Sequence, residues 1–324
     1  MKIRSAVAVS AAFLLAACGG GGQIGDSNSG NAAANKKLVL IPGITAEPFY
    51  ISMQCGFEEA AKAAGYEVDT QAPAKFDAAQ QTPIVTGILA SKPAGVLIAP
   101  TDDKAMAGPM KQLKDAGIKV VEVDTKLQDT SIAASSISSN NEQGGKLAAE
   151  TLNKLTAGKS GSVLVLNTKA GTSTTDARAK GFEDAIKAFP NLKYIGQQYT
   201  DNEPATAASK VTATLAANPD LIGVFATNLN TGEGAATGLR NAGKTGAVNL
   251  VGFDASPKQV QDLQAGTVQA LIAQDPATIG KQGVEQALAA IDGKDNKRDI
   301  ETDLVAITKD DASANSKYFY KEKC

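Results

Sequence analysis

The chain has 324 residues, with 32 Lys+Arg against 34 Asp+Glu, 43% hydrophobic and 20% charged residues. A net charge of −2 excludes a dedicated nucleic-acid or polybasic membrane binder, and the length suits about two globular domains of roughly 150 residues each. With His 0, Trp 0 and only 3 Cys, the commonest zinc ligand and general base are absent and the thiolates are too few for the usual four-cysteine metal or iron–sulfur sites, so no metal or cofactor is implied.

Lys2 and Arg4 precede an apolar run from Ala6 to Ala17, the n-region and h-region of a signal peptide, too short to span a bilayer as a helix. The run ends Leu15-Ala16-Ala17-Cys18. This resembles the lipobox of bacterial lipoproteins, and the resemblance implies a signal peptide over residues 1–17 and lipidation of Cys18. Residues 18–36, rich in Gly, Ser, Asn and Ala, read as a flexible linker between anchor and folded body. Cys55 and Cys324 then form an even pair in an exported chain, either bonded to each other or left as two free thiols.

From Leu38 onward apolar runs alternate with amphipathic segments. Predicted strands are LVLI at Leu38, VLIA from Val96, VVEV from Val120, VLVL from Val163, LIGVFA from Leu221, NLVGF around Leu250 and VQALIA from Val268. Predicted helices run from Pro48 to Ala64, Asp77 to Ser91, Lys104 to Ala116, Gly144 to Leu155, Arg178 to Phe189, Glu203 to Asn218, Thr231 to Ala242 and Pro276 to Ile291, several stopped by Gly. Strands apolar throughout suit parallel sheets covered by helices on both faces, and this many alternations exceeds one sheet. Two doubly wound α/β domains follow.

Ligands in such sheets bind beyond the C-terminal strand ends. There stand Thr45, Glu47, Phe49 and Tyr50; Asp124; Asn167 and the segment Thr172 to Arg178; Asn228 and Asn230; Asp254; and Gln274. Carboxylates and amides pair with vicinal hydroxyls, Arg offers a planar donor fork, and aromatic faces pack on sugar C–H faces. The set suits a neutral polyhydroxylated ligand. Asp77 and Asp102 read rather as helix caps, with Thr45 and Thr172 treated the same way, and Phe253 as strand core. Gly171 lies in no GxxxxGK[ST] pattern, so nucleotide binding is not expected.

The runs PFYISMQCGFEEAAKAAGYEV, LIAPTD, VEVDT, SSNNEQGGKLA, AGTSTTDARAKGFEDA, VFATN, VGFDASP and ALIAQDPATIGKQGVE resemble, in family order, the ribose-type (type I) periplasmic binding proteins of ABC transporters. The resemblance implies two Rossmann-like domains joined by three hinge strands, near Ser139 to Asn141, Gln274 and Glu301 to Asp303. The first domain comprises residues 37–139 plus 275–301, the second 140–274 plus 302–324. It further implies a monomeric, extracytoplasmic, non-enzymatic protein, anchored to the membrane by lipid, that passes a sugar or polyol to a permease. Its pocket aromatics fall on Phe49 and Tyr50, with Asp124, Arg178, Asn228, Asp254 and Gln274 as polar ligand contacts. Glu47 and Thr125 stand where ribose proteins have Asn and Arg, and no aromatic stands near Asp201 where the family has a third. The pocket is therefore more acidic than a ribose site, which leaves an amino-bearing ligand open. Rival readings are a receptor for a chemotaxis or sensor-kinase partner and a glycosidase using Asp124 and Asp254. A sugar-responsive repressor would carry a DNA-binding helix-turn-helix where this chain has an anchor signal.

Overall fold

The computed structural model describes residues 35–324, so the expected signal peptide, Cys18 and most of the expected linker lie outside the described residues. The first lobe is built on β1 (Lys37–Ile41), β2 (Glu67–Thr70), β3 (Gly95–Ile98), β4 (Lys119–Val123) and β5 (Ser135–Ser139), with α1 (Pro48–Ala63), α2 (Ala78–Ser91) and α3 (Ala107–Asp115) between them. The second is built on β6 (Gly161–Asn167), β7 (Leu192–Tyr199), β8 (Leu221–Ala226), β9 (Asn249–Phe253) and β10 (Ala270–Ala273). Its helices are α4 (Asn141–Thr156), α5 (Ser173–Ile186), α6 (Pro204–Ala217), α7 (Leu229–Asn241) and α8 (Pro257–Gln264). The chain returns to the first lobe through α9 (Pro276–Ile291) and β11 (Asp299–Thr302), then to the second through β12 (Val305–Thr308). The strand orders are β2-β1-β3-β4-β5-β11 and β7-β6-β8-β9-β10-β12. The two lobes thus repeat one doubly wound plan; among the described residues only β12 runs antiparallel to its neighbour.

Strand periodicity of two decides which helices each residue meets. Leu38 and Leu40 of β1 cluster with Met53 and Phe57 of α1 and Ile279 and Val284 of α9. Val39 and Ile41 face Val85 and Ile88 of α2 and Met110 and Leu113 of α3. In the second lobe Val163 and Val165 pack with Leu152, Phe182 and Ile186. All these side chains are almost wholly buried, and transfer of each out of water is worth roughly 1.5–3 kcal/mol.

Three crossings join the lobes, at β5 to α4, β10 to α9 and β11 to β12. Ser139 ties them together: its hydroxyl donates to Gln274 Oε1 at 2.7 Å and lies 3.3 Å from Thr302 Oγ1. Cys55 and Cys324 are bonded to each other. The expected grouping of 302–324 with the second domain fits β12 but not the end of the chain, because Lys321 N–H donates to Ser52 of α1 and Cys324 is bonded to that same helix.

Candidate functional site

Residues 35–324 form one compact unit, and the strands of both sheets end at a cleft of about 390 Å³, mouth included. Its walls are Glu47, Phe49, Tyr50, Phe76, Asp124 and Thr125 from the first lobe and Thr168, Thr172, Thr174, Thr175, Arg178, Asn202, Asn228 and Asp254 from the second, with Gln274 at the hinge. All nine residues chosen from the sequence as ligand contacts line this one cavity.

Asp124 and Asp254 occupy the same place in their lobes, directly after β4 and β9, the fourth strand of each sheet order. Both have left-handed backbones, φ 64° and 81°. Their N–H groups donate to the neighbouring strands, at Ile137 O and Ile272 O, so the chain turns sharply while each carboxylate is aimed into the cleft. Non-glycine residues accept such a conformation at a cost, and Asp is among the more tolerant. Tyr50 OH donates to Asp124 Oδ2 at 2.8 Å. Asp254 Oδ1 accepts from Gln274 Nε2 at 2.6 Å and Tyr320 OH at 2.8 Å, and Oδ2 from Leu229 N–H at 2.8 Å.

Arg178, one α-helical turn into α5, is buried. It donates from Nε to Asn141 Oδ1 at 2.8 Å, from Nη1 to Thr227 O at 2.9 Å and from Nη2 to Gln274 Oε1 at 3.1 Å. Its guanidinium lies 3.7 Å from the centre of the Phe253 ring, so this core residue also supports a cation. Burial pushes the Arg178 pKa down, while Asp254 and Asp124 oppose that. Burial raises Asp254, against the pull of Arg178, and raises Asp124 to about 6 against Arg178 and Tyr50. Glu47 keeps an exposed edge, but its carboxyl faces the cleft; burial first, then Asp254 and Asp124, lift it to about 8. At neutral pH it is mostly protonated and adds no charge to the site.

The lobes are closed on one another. Asn230 Nδ2 donates across the cleft to Glu47 Oε2 at 2.9 Å, Asp103 N–H to Gly171 O at 3.0 Å, and Lys126 N–H to Ser173 Oγ at 2.9 Å. Lys75 pairs with Glu203 at 2.9 Å in solvent.

Several expectations are corrected. Thr172 occupies the N-cap position of α5 but makes no side-chain cap bond; its hydroxyl, like that of Thr125, is buried without a partner and borders the cavity. Thr45 caps nothing, α1 starting behind an uncapped Glu47, and it lies outside the cleft walls. Asn167 is wholly buried scaffolding, bonded to Asp176, Gln197, Thr168 and Thr227. Asp77 does cap α2, accepting two backbone N–H groups, whereas Asp102 accepts from Lys104 and Ala105 N–H in the turn before α3, whose N-cap is Met106. No aromatic stands at 201; the wall there is Asn202, while Phe76 supplies an aromatic from the first lobe. Phe76, Asn202 and Tyr320 carried no signal in the sequence pattern. Among the described residues no group of three His, Cys, Asp or Glu side chains could hold a metal.

Two α/β lobes with one shared strand order, three crossings and a polar cleft between them define a type I solute-binding fold. Residues 38–295 match the periplasmic binding protein domain, and the chain belongs to that family. It is 32% identical over 285 residues to the ribose import binding protein of Escherichia coli, covering 87% of this chain and 93% of that one. It is 30% identical over 267 residues to the D-allose-binding periplasmic protein of the same organism, covering 80% and 85%. An ABC transporter solute-binding protein of Agrobacterium vitis, bound with α-D-tagatopyranose, superposes with a TM-score of 0.85 at 38% identity, over 88% of this chain and 99% of that one. A second from A. vitis, with bound D-fucose, gives 0.83 at 28% identity over 88% and 100%. These relatives are described as binding proteins.

Proposed function

We propose that the chain is an extracytoplasmic solute-binding lipoprotein, anchored through Cys18, that captures a neutral sugar or polyol in the interlobe cleft and delivers it to an ABC permease for import. The observation that carries this reading is the pair of buried, unpartnered hydroxyls of Thr125 and Thr172 on opposite lobes, each lacking a mate that a hydroxyl-rich ligand would supply. Glu47, Phe49, Tyr50, Asp124, Thr125, Arg178, Asn228, Asp254 and Gln274 are its proposed contacts. Asp124 and Asp254 accept from vicinal hydroxyls, Arg178 retains unused N–H groups, and Phe49 and Tyr50 offer apolar ring surface. A protonated Glu47 donates a hydrogen bond and adds no charge, which favours a neutral ligand over an amine.

Residues 37–139 with 275–301, and 140–274 with 302 to about 320, act as the two moving domains. A ligand that touches both lips has higher affinity for the closed form and shifts the population towards it, and the closed form is what the permease reads. The cleft binds and releases without reacting. Relatives named for ribose and allose, and a neighbour holding tagatose, make these the first probes. Titration calorimetry with pentoses, hexoses, polyols and amino sugars tests the reading; heat from amino sugars alone would overturn the neutral class, and heat from none the sugar reading.

A further inference from the structure

The three hinge crossings do not account for the sixteen residues from 309 to 324, whose Cys324 is bonded covalently back to the first lobe. After β12 the tail stays with the second lobe as far as Tyr320, whose N–H donates to Ala255 O and whose hydroxyl donates to Asp254 Oδ1 at 2.8 Å and accepts from Gln274 N–H at 3.3 Å. Its ring is buried and meets the ring of Phe49 edge-on, with centroids 5.8 Å apart. The very next residue, Lys321, donates its N–H to Ser52 Oγ on α1 of the first lobe at 2.7 Å. Cys324 is then bonded to Cys55 on the same helix, 269 positions away in sequence. Consecutive residues are therefore fixed to opposite lobes.

We propose that residues 320–324 form a fourth, disulfide-pinned crossing, a strap that limits how far the cleft opens and favours the closed form. While Tyr320 stays docked, only three residues lie between it and Cys324, and a fully extended chain reaches about 3.3–3.6 Å per residue, so the two Cα atoms can be separated by at most about 14 Å. The three hinge strands turn at the Ser139–Gln274–Thr302 cluster; the strap bridges the lobes next to the aromatic wall of the cleft, where opening would stretch it. The strap rests on the hinge-closing part of the proposed function, but its consequences appear without any ligand.

The test uses the full exported chain oxidised, and as Cys324→Ser, which changes only an exposed terminal side chain. A Cys55→Ser/Cys324→Ser double variant excludes effects of a lone thiol, and Tyr320→Phe loosens the other end while keeping the ring. In ligand-free protein, hydrogen exchange at the Lys321 amide and across the cleft lips should rise at least tenfold in both cysteine variants, and small-angle scattering should report a more open particle. Equal exchange and equal dimensions in wild type and both cysteine variants would overturn the strap. An effect of Tyr320→Phe with none from either cysteine variant would overturn it too, leaving Tyr320 a local partner of Asp254. If no sugar gives heat with wild type, the sugar reading falls, while the exchange result still decides the strap.

Discussion

Replacing Asp254 by Asn removes one charge and almost no volume, which makes it the sharpest probe of the cleft. The carboxylate accepts three hydrogen bonds, two at Oδ1 and one at Oδ2. An amide can keep the two at Oδ1 from Gln274 and Tyr320, but its NH2 then faces the Leu229 N–H, donor against donor. The flipped amide satisfies Leu229 but confronts Gln274, whose own oxygen already receives Ser139 and Arg178. One unsatisfied buried group costs about 1–3 kcal/mol, and the buried Arg178 also loses a counter-charge. A loss of about 2–4 kcal/mol in ligand affinity follows, or about 30-fold to 1,000-fold in Kd. Titration calorimetry at pH 7.5 measures it, with far-UV circular dichroism confirming that the fold is kept. Because burial holds the Asp254 carboxyl above the usual range, the wild type loses the same charge on acidification and the gap between the two proteins should narrow. A Kd within threefold of wild type would refute the assignment of Asp254 to the ligand.

Three further outcomes follow from the geometry. The Glu47 carboxyl sits at about 8 against an ordinary 4.5, so its contribution to stability is fully present below about pH 4.5 and is lost as pH rises through about 8; Glu47→Gln should flatten the fall in Tm between pH 6 and 9, and an unchanged slope would contradict the enclosure of that carboxyl. Thr172→Val removes a hydroxyl that has no protein partner, so Tm should hold or rise while Kd weakens by about 1 kcal/mol, roughly fivefold; a clear drop in Tm would mean that the hydroxyl is bonded within the protein. Gly145→Ala would put a Cβ 1.9 Å from Arg178 O and 2.7 Å from Phe182 N, forcing α4 and α5 apart at a cost of about 3 kcal/mol, readable as a lower urea midpoint together with weaker binding.

Much of this was legible because the buried strands leave a strong imprint. Runs such as VLVL and LIGVFA are apolar on both faces since helices cover both sides of each sheet, and all seven predicted strands are present. The unpredicted ones lack that imprint for physical reasons. β2 and β7 are sheet edges with half-exposed faces, and β5 is Ser135-Ser-Ile-Ser-Ser139, bonded through Ser135 to Lys297 O at its start and through Ser139 to Gln274 at the hinge. The helix α8 did carry a usable mark, the reciprocal capping box of Ser256 and Gln259. In the cleft, residues at strand ends could be located by topology and by family motifs. Phe76, from the loop before α2, and Tyr320, from the tail, reach the site through tertiary folding that no local pattern encodes.

The left-handed turns at Asp124 and Asp254 have a consequence for how such a binder can change its ligand. A backbone with φ 64° or 81° tolerates Asp, Asn and Gly far better than branched or bulky residues, so evolution or design can vary little at those two positions without remaking the turn. Glu47, Thr125 and Thr172 stand on ordinary backbone and line the same space. New specificities should therefore arise by substitution at those three, around a fixed pair of carboxylates inherited by both lobes.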